Sequence, residues 1–250
     1  ADDSRLSAYH ALRAKSQRAD SVRFVAESET VIRRLLSSTF PVESVLATPS
    51  RAERLEPLIP DGCPLYVAPR ALLREIVGYD LHRGAIAAGV RPALGQLPEL
   101  PAQGPLRIVV AQGLSDPANV GALIRNCRAF AIDVLVLDPK GADPLTPRAV
   151  RASMGNVFTL PFALCDPLAA VSELRANGVE ILAATVRPNA EPIENVTPGD
   201  RWALLVGNEG SGLSAPLLEC AGREITIPIA PDADSLNVAA ASAVLLYHLS

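Results

Sequence analysis

Several residue types and patterns are scarce in this 250-residue sequence, and each scarcity removes a class of protein. There are 3 His and 4 Cys, and the cysteines stand far apart, so they form no zinc-binding spacing. No apolar stretch is long enough to span a bilayer, and the first residues, ADDSRLSAYH, do not resemble a signal peptide. We therefore expect a cytoplasmic protein that needs no metal and keeps four free, mostly buried thiols, at Cys63, Cys127, Cys165 and Cys220.

The charge is close to balanced but unevenly distributed along the chain. The net charge is −4, which by itself does not indicate a nucleic-acid-binding protein. Residues 1–91 carry 13 Lys/Arg and 11 Asp/Glu, whereas residues 92–250 carry 10 and 16. The N-terminal part is therefore the better candidate for contacts with phosphates, although a solvated surface also explains so small an excess.

The first third of the sequence predicts a small α/β unit. Its patterns indicate helices over 4–19, 28–38 and 70–78, and strands over 21–27, 42–48 and 64–69. A stretch rich in proline and glycine, without periodicity, then follows up to residue 106. We place a linker at 92–105, between a domain over 1–91 and a second domain over 106–250.

From residue 106 onward, strand and helix patterns alternate. Apolar runs predict buried strands over 106–114, 133–138, 179–185, 202–208 and 224–229. Helical patterns are found over 119–130, 147–155, 168–178 and 235–249, and residues 156–163 are expected to be extended. This alternation predicts an open, mostly parallel sheet with helices on both faces.

Three segments place glycines and polar residues at predicted strand ends, where parallel α/β sheets bind their ligands. They read SDPANVGALIRNCRAF (115–130), LLVGNEGSGLS (204–214) and IPIAPDADSLNVAAASAVLLYHL (227–249). The first βα turn lacks the glycine order of a dinucleotide fingerprint, and no Lys followed by Ser or Thr comes after Gly212. The glycine-rich loop therefore suits a nucleoside-like ligand without phosphates.

Taken singly, each segment also has a purely structural explanation. The loop GNEG is equally consistent with a tight turn. Arg125 is suited to hold a phosphate through two hydrogen bonds, but a surface ion pair with Asp116 explains it as well. Ser235 is a good N-cap for the last helix, with Asn237 in its first turn.

In their order and spacing, the three segments resemble the SpoU (TrmH-type) family of the SPOUT superfamily, which consists of RNA 2′-O-ribose methyltransferases. The resemblance covers residues 106–250 through NVGALIR (119–125), GNEGSGL (207–213), and IP (227–228) followed by SLNV (235–238). The first 90 residues resemble, more weakly, the small ribosomal-protein-like RNA-binding domain found in many of these enzymes. Cys127, Ala131 and Ala239 depart from common family residues, and Ala131 replaces a frequent Gly.

The resemblance implies a trefoil-knotted α/β fold, S-adenosylmethionine as cofactor, and a homodimer packed through the knot region. It implies that Arg125 holds the 5′-phosphate of the target nucleotide and polarises the ribose hydroxyl, while Asn119 orients the arginine or the nucleotide. Glu209, Ser235 and Asn237 complete the expected catalytic set. The expected cofactor contacts are Thr185, Gly207, Asn208, Glu209, Gly210, Ile227, Ile229, Leu236 and Asn237.

Two other classes of function stay open at this point. One is a Rossmann oxidoreductase or an ordinary open-sheet methyltransferase, which the missing glycine fingerprint disfavours. The other is a non-catalytic RNA-binding protein on the same fold. For an enzyme, the N-terminal domain favours ribosomal RNA, most of all 23S ribosomal RNA, over tRNA as the substrate.

Overall fold

The computed structural model describes residues 3–10, 22–230 and 232–250. In chain order the helices are α1 (Ser7–His10), α2 (Glu29–Leu36), α3 (Pro49–Leu55), α4 (Arg70–Val77), α5 (Pro117–Ala129), α6 (Pro147–Ala152), α7 (Pro167–Ala176), α8 (Ala215–Cys220) and α9 (Val238–Leu249). The strands are β1 (Arg23–Glu27), β2 (Val42–Ala47), β3 (Leu65–Val67), β4 (Ala85–Val90), β5 (Leu106–Ala111), β6 (Val134–Leu137), β7 (Phe162–Leu164), β8 (Glu180–Ala184), β9 (Glu191–Pro192), β10 (Arg201–Val206) and β11 (Arg223–Thr226).

The chain divides into two compact units. The first comprises the described residues up to Ala93 together with Pro144–Thr159, and the second comprises Leu94–Asp143 and Leu160–Ser250. The stretch Pro144–Thr159 thus belongs to the first unit, although it lies inside the range 106–250 that the sequence suggests for a single domain. The RNA-binding role of the first unit stays a prediction.

The first unit is built on a four-stranded sheet in the order β1-β4-β2-β3. β4 lies antiparallel between β1 and β2, and β2 pairs in parallel with β3. β4 is not predicted from the sequence, because its residues AIAAGV are mostly small and carry no alternating pattern. A Cβ at Gly89 of this strand would lie 2.3 Å from the ring of Phe24, so glycine leaves the space that the aromatic ring occupies.

Apolar residues cover this sheet. One core cluster contains Tyr9, Leu46 and Leu73, and the buried Tyr9 hydroxyl lies 2.8 Å from Ser44 Oγ. Only the beginning of the helix predicted over 4–19, a 3-10 turn at Ser4–Leu6 and then α1, lies within the described residues. The rest of that prediction lies outside them.

The second unit contains a seven-stranded, parallel sheet in the order β7-β6-β5-β10-β8-β11-β9. Both faces of β5 are buried: Ile108 and Val110 belong to a core cluster that includes residues of α7 and α8, while Val109 on the opposite face is equally inaccessible. α5 packs against α9, and Asn126 Nδ2 joins these helices by donating to Ser242 Oγ at 2.9 Å. The predicted open, mostly parallel α/β sheet is confirmed.

Two local predictions were wrong. Residues 156–163 are not extended throughout: Asn156–Phe158 forms a 3-10 turn and only Phe162–Leu164 forms a strand. The last helix begins later than expected, because Asn237 and not Ser235 is its N-cap. The Asn237 side-chain oxygen accepts the backbone N–H of Ala239 at 2.8 Å.

Ala131 and the four cysteines, which the sequence singled out, can now be placed in the structure. Ala131, which follows α5, adopts a φ of 53°, a left-handed conformation that favours glycine. The four cysteines are free thiols, but only Cys127 is buried and the other three are half-buried. No helix in the described part of the chain combines the length and apolar character needed to cross a bilayer.

Candidate active site

A cavity of about 720 Å³ lies where β8, β10 and β11 end. This volume is within the range of small-molecule sites in proteins. Its wall consists of the loop 207–213, the segment 234–238, and residues that follow β8 and β11. All nine residues expected to contact the cofactor line it: Thr185, Gly207, Asn208, Glu209, Gly210, Ile227, Ile229, Leu236 and Asn237.

The loop 207–213, which we call the glycine loop, is folded tightly on itself. Asn208 and Gly212 exchange two backbone hydrogen bonds of 3.1 and 2.9 Å. A Cβ at Gly207 would lie 2.3 Å from the carbonyl carbon of Gly212 and 2.4 Å from the nitrogen of Leu213. Only glycine permits this approach of two backbone segments. The side chain of Asn208 accepts the backbone N–H groups of Gly210 and Ser211 at 2.9 and 3.0 Å.

The glycine loop is also tied to the turn that follows β5. Asn208 Nδ2 donates to the carbonyl oxygen of Gly113 at 2.7 Å. Gln112 forms a reciprocal pair with Ser214: its amide donates to Ser214 Oγ at 3.0 Å and its side-chain oxygen accepts the Ser214 N–H at 2.8 Å. Gln112 and Ser214 were not among the predicted site residues. The available signal was a polar residue, Gln112, near the end of a predicted apolar strand, and a serine directly after the glycine loop.

Three of the predicted catalytic residues are joined by hydrogen bonds that leave little freedom in their orientation. Asn237 Nδ2 donates to Asn119 Oδ1 at 3.1 Å, and Asn119 Nδ2 donates to Glu209 Oε1 at 2.8 Å. The other oxygen of Glu209 accepts the backbone N–H and the hydroxyl of Ser115, each at 3.2 Å. The chain of donors and acceptors connects α5, the glycine loop and the start of α9.

The Glu209 carboxylate is held in its charged form by this network. Burial raises its pKa, but the hydrogen bonds from Asn119 and Ser115 outweigh that effect, and the pKa falls below its usual value. An ionised carboxylate can only accept hydrogen bonds. Glu209 therefore orients its neighbours at neutral pH and has no proton to donate.

Arg125 stands apart from the network. Its side chain is exposed on α5, and it has no hydrogen-bond or ion-pair partner among residues 3–10, 22–230 and 232–250. The surface pair with Asp116 is not formed; Asp116 instead caps α5 by accepting the N–H of Ala118 at 2.8 Å. With no partner among the described residues, Arg125 has all five N–H donors available to a ligand. Ser235, the fifth predicted catalytic residue, lines the cavity.

The cavity suits a nucleoside-type cofactor. Ile227, Ile229 and Leu245 give it apolar walls, and the peptide groups of the glycine loop approach it closely. Arg187 is the single basic residue of the described lining, and it already pairs with Glu224 at 3.1 Å. A lining with so little positive charge favours an adenosine-like group over a phosphate. The described residues contain no group of three potential metal ligands.

Comparisons with known proteins place this geometry in a family. Residues 106–247 match the SpoU rRNA Methylase family. An uncharacterized tRNA/rRNA methyltransferase of Mycobacterium tuberculosis is 34% identical, over 99% of this chain and 88% of its own length. The 23S rRNA (guanosine(2553)-2′-O)-methyltransferase RlmP of Bacillus subtilis is 28% identical, over 95% of this chain and 92% of its own length.

A solved structure agrees over nearly the whole chain. The AdoMet-bound rRNA methyltransferase from Sinorhizobium meliloti superposes with a TM-score of 0.85 at 25% identity, covering 98% of this chain and 94% of that one. The chain belongs to the SpoU rRNA methylase family. The predicted family, fold class and class of enzyme, an RNA methyltransferase, are thereby confirmed.

Proposed function

We propose that this protein methylates a ribose 2′-hydroxyl of 23S ribosomal RNA, with S-adenosylmethionine as the methyl donor. The observation that carries the proposal is the cavity lined by all nine expected cofactor contacts and bordered by the network of Asn119, Glu209 and Asn237. The 23S rRNA specificity of the Bacillus subtilis relative supports the choice of substrate.

The cofactor, when bound, supplies a methyl group on a sulfonium sulfur. The protein has to align the ribose oxygen with that carbon and let the hydroxyl proton leave. Arg125 binds the 5′-phosphate of the target nucleotide and the ribose oxygen through its unpaired N–H groups. Because a guanidinium group has five N–H donors and no acceptor, the proton passes to the phosphate or to water.

In this proposal the remaining polar residues act by positioning. Glu209 and Asn237 hold Asn119, and Asn119 fixes the first turn of the helix that carries Arg125. Ser235 and Leu236 belong to the wall that faces the cofactor. The trefoil knot, the cytoplasmic location and the RNA-binding role of the first unit stay predictions.

The test is transfer of a labelled methyl group to 23S ribosomal RNA transcribed in vitro, with a tRNA transcript as the second arm. Arg125→Ala should lower the rate by about 100-fold or more, because the target nucleotide is then no longer aligned with the methyl donor. The affinity for S-adenosylmethionine should not change. Arg128→Ala, an exposed arginine of the same helix, is the matched control and should keep the wild-type rate. Equal rates for Arg125→Ala and Arg128→Ala would remove Arg125 from its assigned role.

We also propose a homodimer whose interface includes α9. Tyr247 is 78% exposed and Val244 44% exposed on this helix, and the ring of Tyr247 contacts Phe130 with centroids 6.4 Å apart. An aromatic side chain exposed to this extent beside another apolar residue favours a protein partner. In sedimentation velocity the wild type should be dimeric and Tyr247→Glu should shift to the monomer; a wild-type monomer at micromolar concentration contradicts the proposal.

A further inference from the structure

Three arginines of the first unit converge on a single carboxylate. Glu29, at the start of α2, contacts Arg51 Nη1 at 2.5 Å, Arg33 Nη2 at 3.0 Å and Arg54 Nη1 at 3.6 Å. We call Arg33, Arg51 and Arg54 the arginine cluster. Arg33 comes from α2 and the other two come from α3, so the tertiary fold and not the local sequence brings the three charges together.

This arrangement differs from the other arginine ion pairs of the same unit. Arg5 pairs with Asp3, Arg23 with Glu43, and Arg70 with Asp80. In each of these three contacts a single guanidinium meets a carboxylate, so one positive charge faces one negative charge. Glu29 cancels only one of its three positive charges, and the excess persists at the surface. Glu53 of α3 is exposed and makes no ion pair with the cluster among the described residues.

Convergence of like charges opposes folding, and an anionic partner relieves it. The side chains of the cluster remain open to solvent, at 42% for Arg33, 36% for Arg51 and 61% for Arg54. Two of them are also held in place: Arg51 by Glu29, and Arg33 by Glu29 and by the carbonyl oxygen of Arg54 at 3.0 Å. Guanidinium groups fixed in this way lose less conformational entropy when they bind an anion.

Glu29 therefore acts as a positioning residue. Burial raises the pKa of its carboxyl group, but the hydrogen bonds from Arg51 and Arg33 lower it more, so that Glu29 stays ionised at neutral pH. Its negative charge orients the guanidinium planes without neutralising the cluster. The remaining donors match the paired oxygens of a phosphodiester.

We propose that the arginine cluster binds the phosphate backbone of the substrate RNA. This inference rests on the proposed function and assigns to the first unit a specific surface for that substrate. An acidic protein offers carboxylates of similar geometry, but membership of the SpoU rRNA methylase family favours RNA as the polyanion. Backbone contacts of this kind fix the register of the RNA and carry no sequence information themselves.

The test compares two triple variants that remove the same charge. One carries Arg33→Ala, Arg51→Ala and Arg54→Ala; the matched control carries Arg5→Ala, Arg23→Ala and Arg70→Ala, whose guanidinium groups each pair with a separate carboxylate. Binding to a 23S ribosomal RNA transcript is measured over a range of salt concentrations. Each phosphate contact contributes about 0.7–0.9 to the slope of log K against log salt, so the cluster variant should lose about two units of slope and bind about tenfold or more weakly.

The control variant should lose clearly less of the salt slope and of the RNA affinity. The two triple variants should bind S-adenosylmethionine like the wild type. Arg54→Ala alone, at the most exposed and most loosely held position, guards against misfolding of the triple variant and should remove about one unit of slope. Equal losses in the cluster and control variants would overturn the proposal. So would a cluster variant that keeps RNA binding but loses affinity for polyglutamate, which would identify an acidic protein as the partner. A wild type that binds RNA but transfers no methyl group would instead refute the proposed function.

Discussion

The polar groups around the cavity and the arginines proposed to bind RNA differ in how many of their hydrogen-bonding groups already have a partner within the protein. Around the cavity, Asn119, Glu209 and Asn237 use their side-chain donors and acceptors on one another and on nearby backbone. Arg125 has no such partner in the described chain, and the arginine cluster shares one carboxylate among three guanidinium groups. The polar groups around the cavity are thus already paired, whereas the arginines proposed to bind RNA keep unused donors.

This difference follows from the two kinds of ligand. A cofactor of fixed shape is bound best by walls that are already in position, because little conformational entropy is then lost on binding. A large polyanion is bound through many separate phosphates, and each of them needs an available positive charge. Substitutions near the cavity should therefore change cofactor binding, and substitutions of the arginines should change RNA binding alone.

Among substitutions near the cavity, Gly207→Ala should have the largest effect on cofactor binding. The added Cβ would lie 2.3 Å from backbone atoms of Gly212, so the glycine loop has to open. Overpacking of this kind costs about 1–3 kcal/mol or more, and we expect S-adenosylmethionine affinity to fall by about 100-fold in isothermal titration. The matched control is Gly199→Ala, which lies outside the cavity lining and whose Cβ meets its nearest neighbour, Glu180 Oε2, at 4.0 Å. A normal affinity in Gly207→Ala would show that the loop adapts.

A smaller effect is expected for Glu209→Gln, and it should depend on pH. The folded-state pKa of Glu209 lies below its ordinary value of 4.5, so its contribution to stability is complete above that value and is lost as the pH falls through the lowered pKa. At pH 7 the variant should unfold about 1–3 °C below the wild type, and this difference should shrink as the pH falls below 4.5 and through the lowered pKa of Glu209.

Thermal unfolding of both proteins between pH 3 and pH 8 measures this convergence. Glu219→Gln provides the control, since Glu219 is exposed on α8 and makes no side-chain hydrogen bond among the described residues. A stability difference between Glu209→Gln and the wild type that stays constant across the whole pH range would rule out the ionised form as the stabilising species.

Much of the second unit could be predicted from the sequence, because its strands are continuous apolar runs that are buried on both faces. β4 could not, since small residues carry little β-strand signal, and neither could α3 and α8, which are short. The start of α9 was misplaced because Ser235 and Asn237 are both good N-caps. In the structure the Asn237 side-chain oxygen caps the helix, while its nitrogen donates to Asn119, a residue far away in the sequence.

The candidate site likewise combines residues that the sequence predicts with contacts that it does not. The family motifs predicted every residue of the network formed by Asn119, Glu209 and Asn237, because each lies in a short continuous segment. Contacts between segments that are far apart in the sequence could not be predicted. The pair of Gln112 with Ser214 spans about a hundred residues, and the arginine cluster depends on the packing of α2 against α3.

The association of Pro144–Thr159 with the first unit has consequences for folding during translation and for recombination between genes. The ring of Phe158 lies 5.3 Å from that of Phe24 and 5.4 Å from that of Phe40, so the first unit lacks part of its own aromatic core until residue 158 has been translated. Folding strictly from the N-terminus, domain by domain, is therefore incomplete while the first half of the chain emerges from the ribosome. A recombination event that transferred only the first 93 residues to another gene would separate this unit from one of its own packing elements.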